Sequence, residues 1–327
     1  MIPKRILIIQ TAFIGDVILT TGLVEKLKAE FPDASIDFLL RKGNEQLFEN
    51  NPHINKLLIW DKKSDKLKNL FRMISVIRKE RYDLLVNLQR YFSTGLMVFL
   101  SGAKYKVGFS QNPLSFCYDN KVAHQMSNGQ HDIERNHELI SDLVSSEAGR
   151  PKLYPSDEQF NAVAQYKGQP FITIAPASVW FTKQFPEEKW VEFLNQLSFE
   201  GNIYFVGAPN DKVLCDRIIE NTTANGCSNL CGAMSLLESA ALMKDAAMNY
   251  VNDSAPQHIC SALDAPVTAL FCSTILEFGF GPLSTNSRVV ETQKELDCRP
   301  CGKHGHPQCP EGHFDCALSI DVERLNF

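Results

Sequence analysis

Short apolar runs alternate with longer amphipathic stretches along this chain, and the alternation starts twice. RILIIQ (5–10) carries an unbroken apolar centre and ends in a turn, the pattern of a parallel strand buried on both faces. Residues 16–30 place Val17, Leu19, Leu23, Val24 and Leu27 at helical spacing, and Phe31-Pro32-Asp33 ends that helix. Strands are expected at 35–41, 56–60 and 82–88. Between the last two, residues 65–80 read as an amphipathic helix. Leu67, Leu70, Phe71, Ile74 and Ile77 are expected inward, and Lys66, Lys68, Arg72 and Lys79 outward. Residues 145–168 are polar, hold two prolines and read as a linker followed by a short helix. The rhythm then restarts, with strands expected at 171–176, 202–209, 248–253 and 265–271 and helices at 186–197, 210–220, 235–246 and 255–263.

This order predicts an α/β chain of two doubly wound domains, residues 1–155 and 169–327, facing each other across a cleft. A length of 327 residues is enough for two ordinary domains. Ligands of open α/β sheets bind beyond the carboxyl ends of the strands. The loops of interest are therefore 10–16, 176–186, 207–211 and 252–258.

Charge narrows the partners. The net charge of -5 argues against general nucleic-acid binding. Residues 41–90, however, carry twelve Lys/Arg against six Asp/Glu, a local +6 that leaves -11 for the remainder. Such a patch suits a local anionic partner, a phosphorylated ligand or a membrane surface; a solvated helix face is the alternative. No apolar run approaches the ~20 residues of a membrane span. Lys4 and Arg5 precede only a few apolar residues before Asp16 and Glu25, unlike a signal peptide, so a cytoplasmic protein is expected.

Each loop offers chemistry beside a plainer structural role. Gly15-Asp16 opens a helix, where an acid stabilises the first turn; the same carboxylate, kept ionised there, suits a general base. In PASVWFTKQFPEEKW (176–190), Ser178, Thr182 and Lys183 lie between a strand and a helix start, a set suited to a diphosphate or simply to a polar connection. In NDSAPQH (252–258), Asn252, Asp253 and Ser254 are good caps. The functional alternative has backbone N–H groups at 254–257, Ala255 included, touching phosphate. Asp253 then binds sugar hydroxyls, and His258 lines the site or packs in the core. In GAPND (207–211), Asp211 or Asn210 follows a strand where nucleotide folds often keep a ribose-binding acid.

Six of the ten cysteines are scattered and read as small core residues, while Cys298, Cys301, Cys309 and Cys316 cluster with His304, His306 and His313. That composition is a structural zinc site's, yet the spacings match no common ribbon or finger, and free thiols are the other reading.

Together these stretches resemble glycosyltransferase family 9, the ADP-heptose:lipopolysaccharide heptosyltransferases. TAFIGDVILTTGL resembles the family's IGD motif, ASVWFTKQFPEEKW its GAS-x-x-x-K-x-W-P stretch, and NDSAPQHICSALDAPVTALF its N-D-[ST]-G-x-x-H segment. The matches run in order over nearly the whole chain. Ala255 stands where the family has glycine, and Phe185 where it has tryptophan.

The resemblance implies a GT-B fold of two Rossmann-like domains, with the nucleotide-sugar in the carboxyl-terminal half. It implies inverting transfer without a catalytic metal or other cofactor. Asp16 would be the base, Thr182 and Lys183 the diphosphate binders, and Asp253, Ser254 and His258 the donor loop. The implied partners are an ADP-sugar and a lipid A/Kdo-type lipopolysaccharide core. Lys66, Lys68 and Arg72 would touch the inner membrane surface without insertion. Another nucleotide-sugar, a protein acceptor or a non-catalytic sugar-nucleotide binding module are the alternatives.

Overall fold

The chain is described by a computed structural model covering residues 2–126, 128–145 and 147–326. It forms two compact units, Met1–Tyr154 and Pro155–Phe327. The first runs β1 (Arg5–Ile9), α1 (Ile14–Glu30), β2 (Ser35–Arg41), β3 (Ile54–Trp60), α2 (Lys66–Glu80), β4 (Leu84–Asn87), α3 (Phe92–Leu100), β5 (Tyr105–Phe109), β6 (Asn120–Val122) and α4 (Asp132–Glu138). Its strands are parallel, in the order β3-β2-β1-β4-β5-β6.

The second unit runs α5 (Asp157–Ala162), β7 (Phe171–Ala175), α6 (Glu187–Gln196), β8 (Asn202–Phe205), α7 (Lys212–Asn221), β9 (Cys227–Asn229), α8 (Leu236–Lys244), β10 (Asn249–Asn252), α9 (Ala255–Leu263), β11 (Val267–Phe271), β12 (Ser287–Glu291) and α10 (Asp315–Leu318). Its parallel sheet has the order β12-β11-β10-β7-β8-β9. From its other edge this is the order of the first sheet. The expected α/β class with two doubly wound sheets is what forms.

Ile6, Leu7, Ile8 and Ile9 are all fully buried, because helices cover both faces of the sheet. On one face Leu7, Ile9, Leu39 and Leu85 meet Met73 and Ile77 of α2 and Met97 of α3. On the other, α1 packs beside α4. The helix comes close to a later stretch of chain: a Cβ on Gly22 would stand 2.3 Å from the Gly149 carbonyl oxygen. One acid lies inside the sheet. Asp37 of β2 is buried and accepts hydrogen bonds from Tyr82 Oη (2.6 Å) and Asn55 Nδ2 (2.8 Å).

The α2 expectation needs correcting. Its buried side is Leu70, Met73, Ile74 and Ile77, while Leu67 is 70% and Phe71 57% exposed. The apolar stripe is wider than the surface the sheet offers. Leu67 and Phe71 belong to the first two turns, where the helix begins beyond the carboxyl end of β3. Among the described residues, no helix is long and apolar enough to cross a membrane.

Candidate functional site

Each sheet reverses its winding once, between β1 and β4 in the first unit and between β7 and β10 in the second. Loops diverge at such a point and leave a crevice. In the second unit the loop after β7 is pinned there by Asn252 at the end of β10. Asn252 Oδ1 accepts the Phe185 N–H (2.9 Å), and its Nδ2 donates to the Pro176 carbonyl (2.7 Å).

That pinning sets Thr182 and Lys183 against the next residue of the β10 loop. Lys183 Nζ lies 2.6 Å from Asp253 Oδ2, and Thr274 Oγ1 donates to the same oxygen at 2.6 Å. Asp253 and Thr274 are both buried. The buried Thr182 hydroxyl accepts from Ser273 Oγ (3.1 Å) and from the His306 N–H (2.8 Å), and the Thr182 N–H donates to the His306 carbonyl (3.1 Å). Gly305, at φ +79°, makes this approach possible: a Cβ there would stand 2.9 Å from Thr182 Oγ1 and 3.0 Å from Lys183 Cγ.

Ser254 precedes α9 in extended conformation, with its hydroxyl donating to the Asn252 carbonyl at 3.3 Å. The expected set of amide donors at 254–257 is smaller than the sequence numbering implies. Pro256 has no N–H, and the Gln257 N–H is held by the Ser254 carbonyl (3.1 Å). Ser254 and Ala255 supply the remaining amides. His258 is buried one turn into α9, its ring edge-on to Phe280 at 6.5 Å. Phe185 is buried edge-on against Trp190 at 5.1 Å, so it fills core space.

Two expected residues stand outside this network. Ser178 lends its carbonyl to Gln184 Nε2 (2.7 Å), which shapes the loop. Asp211 accepts the Ala208 N–H at 2.8 Å and so caps its own turn.

In the first unit, Gly15 and Asp16 lie in the opening turn of α1, both partly exposed. The loop before them rests on a buried polar floor. Thr11 Oγ1 donates to Gln89 Oε1 (3.4 Å), Gln89 bonds Gln10, and Gln10 Nε2 reaches Thr20 Oγ1 (3.3 Å). Lys62 Nζ donates to the Thr11 carbonyl (3.0 Å) and hydroxyl (2.9 Å) while lying 4.8 Å from the Trp60 ring centroid. Burial, then the neighbouring charges of Arg41 and Lys66, push Lys62 down to about 8.

The cysteine-rich tail packs against the segment that follows β11. The Cys301 N–H donates to the Ser273 carbonyl (2.8 Å), and Arg299 donates to the carbonyls of Cys272 (2.8 Å) and Thr274 (2.8 Å). Burial pushes the Cys316 thiol up to about 12 and raises Cys301. Cys298 Sγ and His313 Nε2 stand 3.9 Å apart. Among the described residues, no three His, Cys, Asp or Glu side chains are gathered as ligands of a metal ion.

Sequence reasoning missed Ser273, Thr274 and the 305–306 turn. The first two were findable, because a Ser-Thr pair directly beyond strand β11 meets the same positional rule that selected the other loops. His306 drew notice only as a metal-ligand candidate; what it gives Thr182 is its backbone N–H and carbonyl, which no residue type signals.

Two doubly wound sheets, the second with hydroxyls, an ammonium and a helix start gathered at its switch point, define a protein of the doubly wound α/β class. More particularly, the chain belongs to glycosyltransferase family 9 (heptosyltransferase), whose sequence model matches residues 70–311. It is 29% identical over 284 residues to lipopolysaccharide heptosyltransferase 3 of Escherichia coli, covering 80% of this chain and 82% of that protein. Among solved structures it resembles the glycosyl transferase family 9 protein of Veillonella parvula at TM-score 0.85 and 21% identity, covering 98% and 95% of the two chains. It also resembles E. coli ADP-heptose lps heptosyltransferase II at TM-score 0.80 and 21% identity, covering 98% and 96%. The fold is thus GT-B-like.

Proposed function

We propose that the chain transfers heptose from ADP-heptose to a lipopolysaccharide inner-core acceptor, with inversion at the anomeric carbon. The observation that carries this reading is the Thr182–Lys183–Asp253–Thr274 network at the second sheet's switch point. The printed names of its relatives, heptosyltransferases acting on lipopolysaccharide and one named for ADP-heptose, support the donor and acceptor class.

In this reading Lys183, the Thr182 segment and the Ser254 and Ala255 amides hold the diphosphate, and Asp253 orients Lys183 and meets sugar hydroxyls. Asp16 accepts the proton of the acceptor hydroxyl as that oxygen attacks the anomeric carbon. The bond from that carbon to the ADP oxygen breaks. The charge gathering on ADP is met by Lys183 and the amides, donors already fixed in place before the reaction. Asp16 sits where a helix start favours the ionised carboxylate a base requires.

Two measurements test this. A panel of nucleotide-sugars is screened for protection against thermal unfolding; ADP-sugars are expected to protect and UDP- or GDP-sugars not. Asp16→Asn is then expected to abolish turnover while keeping ADP protection. Protection by UDP-sugars alone would overturn the donor, and unchanged turnover in Asp16→Asn would overturn the base.

A further inference from the structure

The exposed apolar side chains of α2 have company. Leu67 and Phe71 are one turn apart on the same strip of helix, 70% and 57% exposed. The helix around them carries Lys66, Lys68, Arg72, Arg78 and Lys79 against a single acid, Glu80. Glu80 is already occupied by Arg5 and Lys56, and among the described residues none of those five cations has an ion-pair partner. The sheet is parallel, so α2 starts at the same edge as α1 with its Gly15-Asp16. Exposed Phe13 marks that edge too, under Arg41 at 4.8 Å, as do Tyr91 and Phe92 at the start of α3.

An apolar strip bordered by unpaired cations is what an anionic bilayer surface complements: the strip enters the headgroup–acyl boundary and the cations stay with the phosphates. A second copy of the chain is a poor occupant, since a two-fold contact through this strip would bring the same cations together.

We propose that the first unit docks on an anionic bilayer by inserting Leu67 and Phe71, with Lys66, Lys68 and Arg72 on the lipid phosphates. This deepens, and rests on, the reading that the acceptor is a lipopolysaccharide core, a glycolipid whose acyl chains lie in a bilayer. It replaces the sequence-level expectation of contact without insertion.

The test is co-sedimentation of the full chain with vesicles of phosphatidylcholine alone or with about 30 mol % phosphatidylglycerol, a content that gives a strongly negative surface. Binding is expected only to the anionic vesicles and to weaken with salt. The pair Leu67→Ser and Phe71→Ser, which keeps every charge, is expected to lower that binding by roughly tenfold or more. Its thermal midpoint should stay unchanged, because both side chains are exposed. Phe71→Trp should shift its emission to the blue on anionic vesicles and be quenched by lipids brominated in the acyl chains.

Undiminished binding by the serine pair would overturn insertion. Failure of the wild type to prefer anionic vesicles would overturn the docking surface. So would a wild-type dimer in sedimentation velocity that the serine pair dissolves. Protection by ADP-heptose is read on the same preparations: its loss with vesicle binding intact refutes the donor reading alone, and the reverse refutes docking alone.

Discussion

Replacing Lys183 by methionine isolates the energetics of the switch-point network. Methionine keeps most of the side chain's length and removes the ammonium, leaving the Asp253 carboxylate with Thr274 as its remaining partner at 2.6 Å. Removing one member of a buried ion pair costs about 3–5 kcal/mol, because a charge stays behind in low dielectric. The side chains of Lys183 and Asp253 are 16% and 6% exposed, so water reaches only the lysine end and Thr274 persists. The lower limit, about 3 kcal/mol, is therefore expected. At roughly 2–4 °C per kcal/mol for a unit of this size, the second unit's midpoint should fall by about 6–12 °C.

The double variant Lys183→Met/Asp253→Asn removes both charges while leaving Thr274 an oxygen to donate to. It should recover at least about 2 kcal/mol of the loss. Urea unfolding followed by tryptophan fluorescence in a Trp60→Phe background reports the correct unit, since Trp180 and Trp190 both lie in it and Trp60 lies in the first. The same titrations with ADP should show about 10–100-fold weaker binding in Lys183→Met, the worth of one charge-assisted contact. A single variant as stable as wild type, or a double variant no better than the single, would refute the stranded-carboxylate reasoning.

Three further outcomes follow from close contacts and one shifted group. Gly305→Ala must accommodate φ +79° and a Cβ 2.9 Å from Thr182 Oγ1; ADP affinity by calorimetry should fall about tenfold, the equivalent of roughly 1–2 kcal/mol of αL strain and displaced loop. Gly22→Ala drives a Cβ to 2.3 Å from the Gly149 carbonyl oxygen, against backbone that cannot swing aside, and should destabilise the first unit by at least about 2 kcal/mol in urea. Lys62 lies at about 8 in the folded chain, below its unfolded value near ~10.4. Its charged form is therefore disfavoured on folding, and its contribution to stability rises as pH climbs from about 8 past 10. Urea midpoints of the wild type over that window should show this rise, and Lys62→Met should lack it.

The strands were legible because a parallel strand covered on both faces leaves a run with no alternation; RILIIQ and FITIAP could hardly be anything else. The helix over 65–80 was legible as a helix, but not in which apolar residues it buries. Periodicity gives the width of a stripe, and only the neighbouring element decides how much of that stripe is covered. Within the unread stretch 92–138, β6 is three residues long and α4 seven, too short for a period to show. At the candidate site, residues near strand ends could be found by position alone. In the Thr182–His306 pairing, 124 residues apart, His306 contributes only its backbone N–H and carbonyl, groups that any residue carries, to the Thr182 hydroxyl and N–H.

Asp253 shows where residue type stops informing. From sequence it is a cap or a sugar ligand; in the folded unit its carboxylate faces Lys183 and Thr274. The single cation of this network is thereby offset by a single buried anion, so the crevice offers little net charge to draw in a diphosphate from a distance. Recognition in the proposed reaction then depends on short-range donors that act only in place: the Ser254 and Ala255 amides at the start of α9, and an ammonium that Asp253 holds in one position rather than leaving it mobile. A fixed donor loses little freedom when the substrate binds and does not need to reorganise when charge moves onto the leaving group. The ion pair is thus better understood as preorganisation of Lys183 than as a competitor for it.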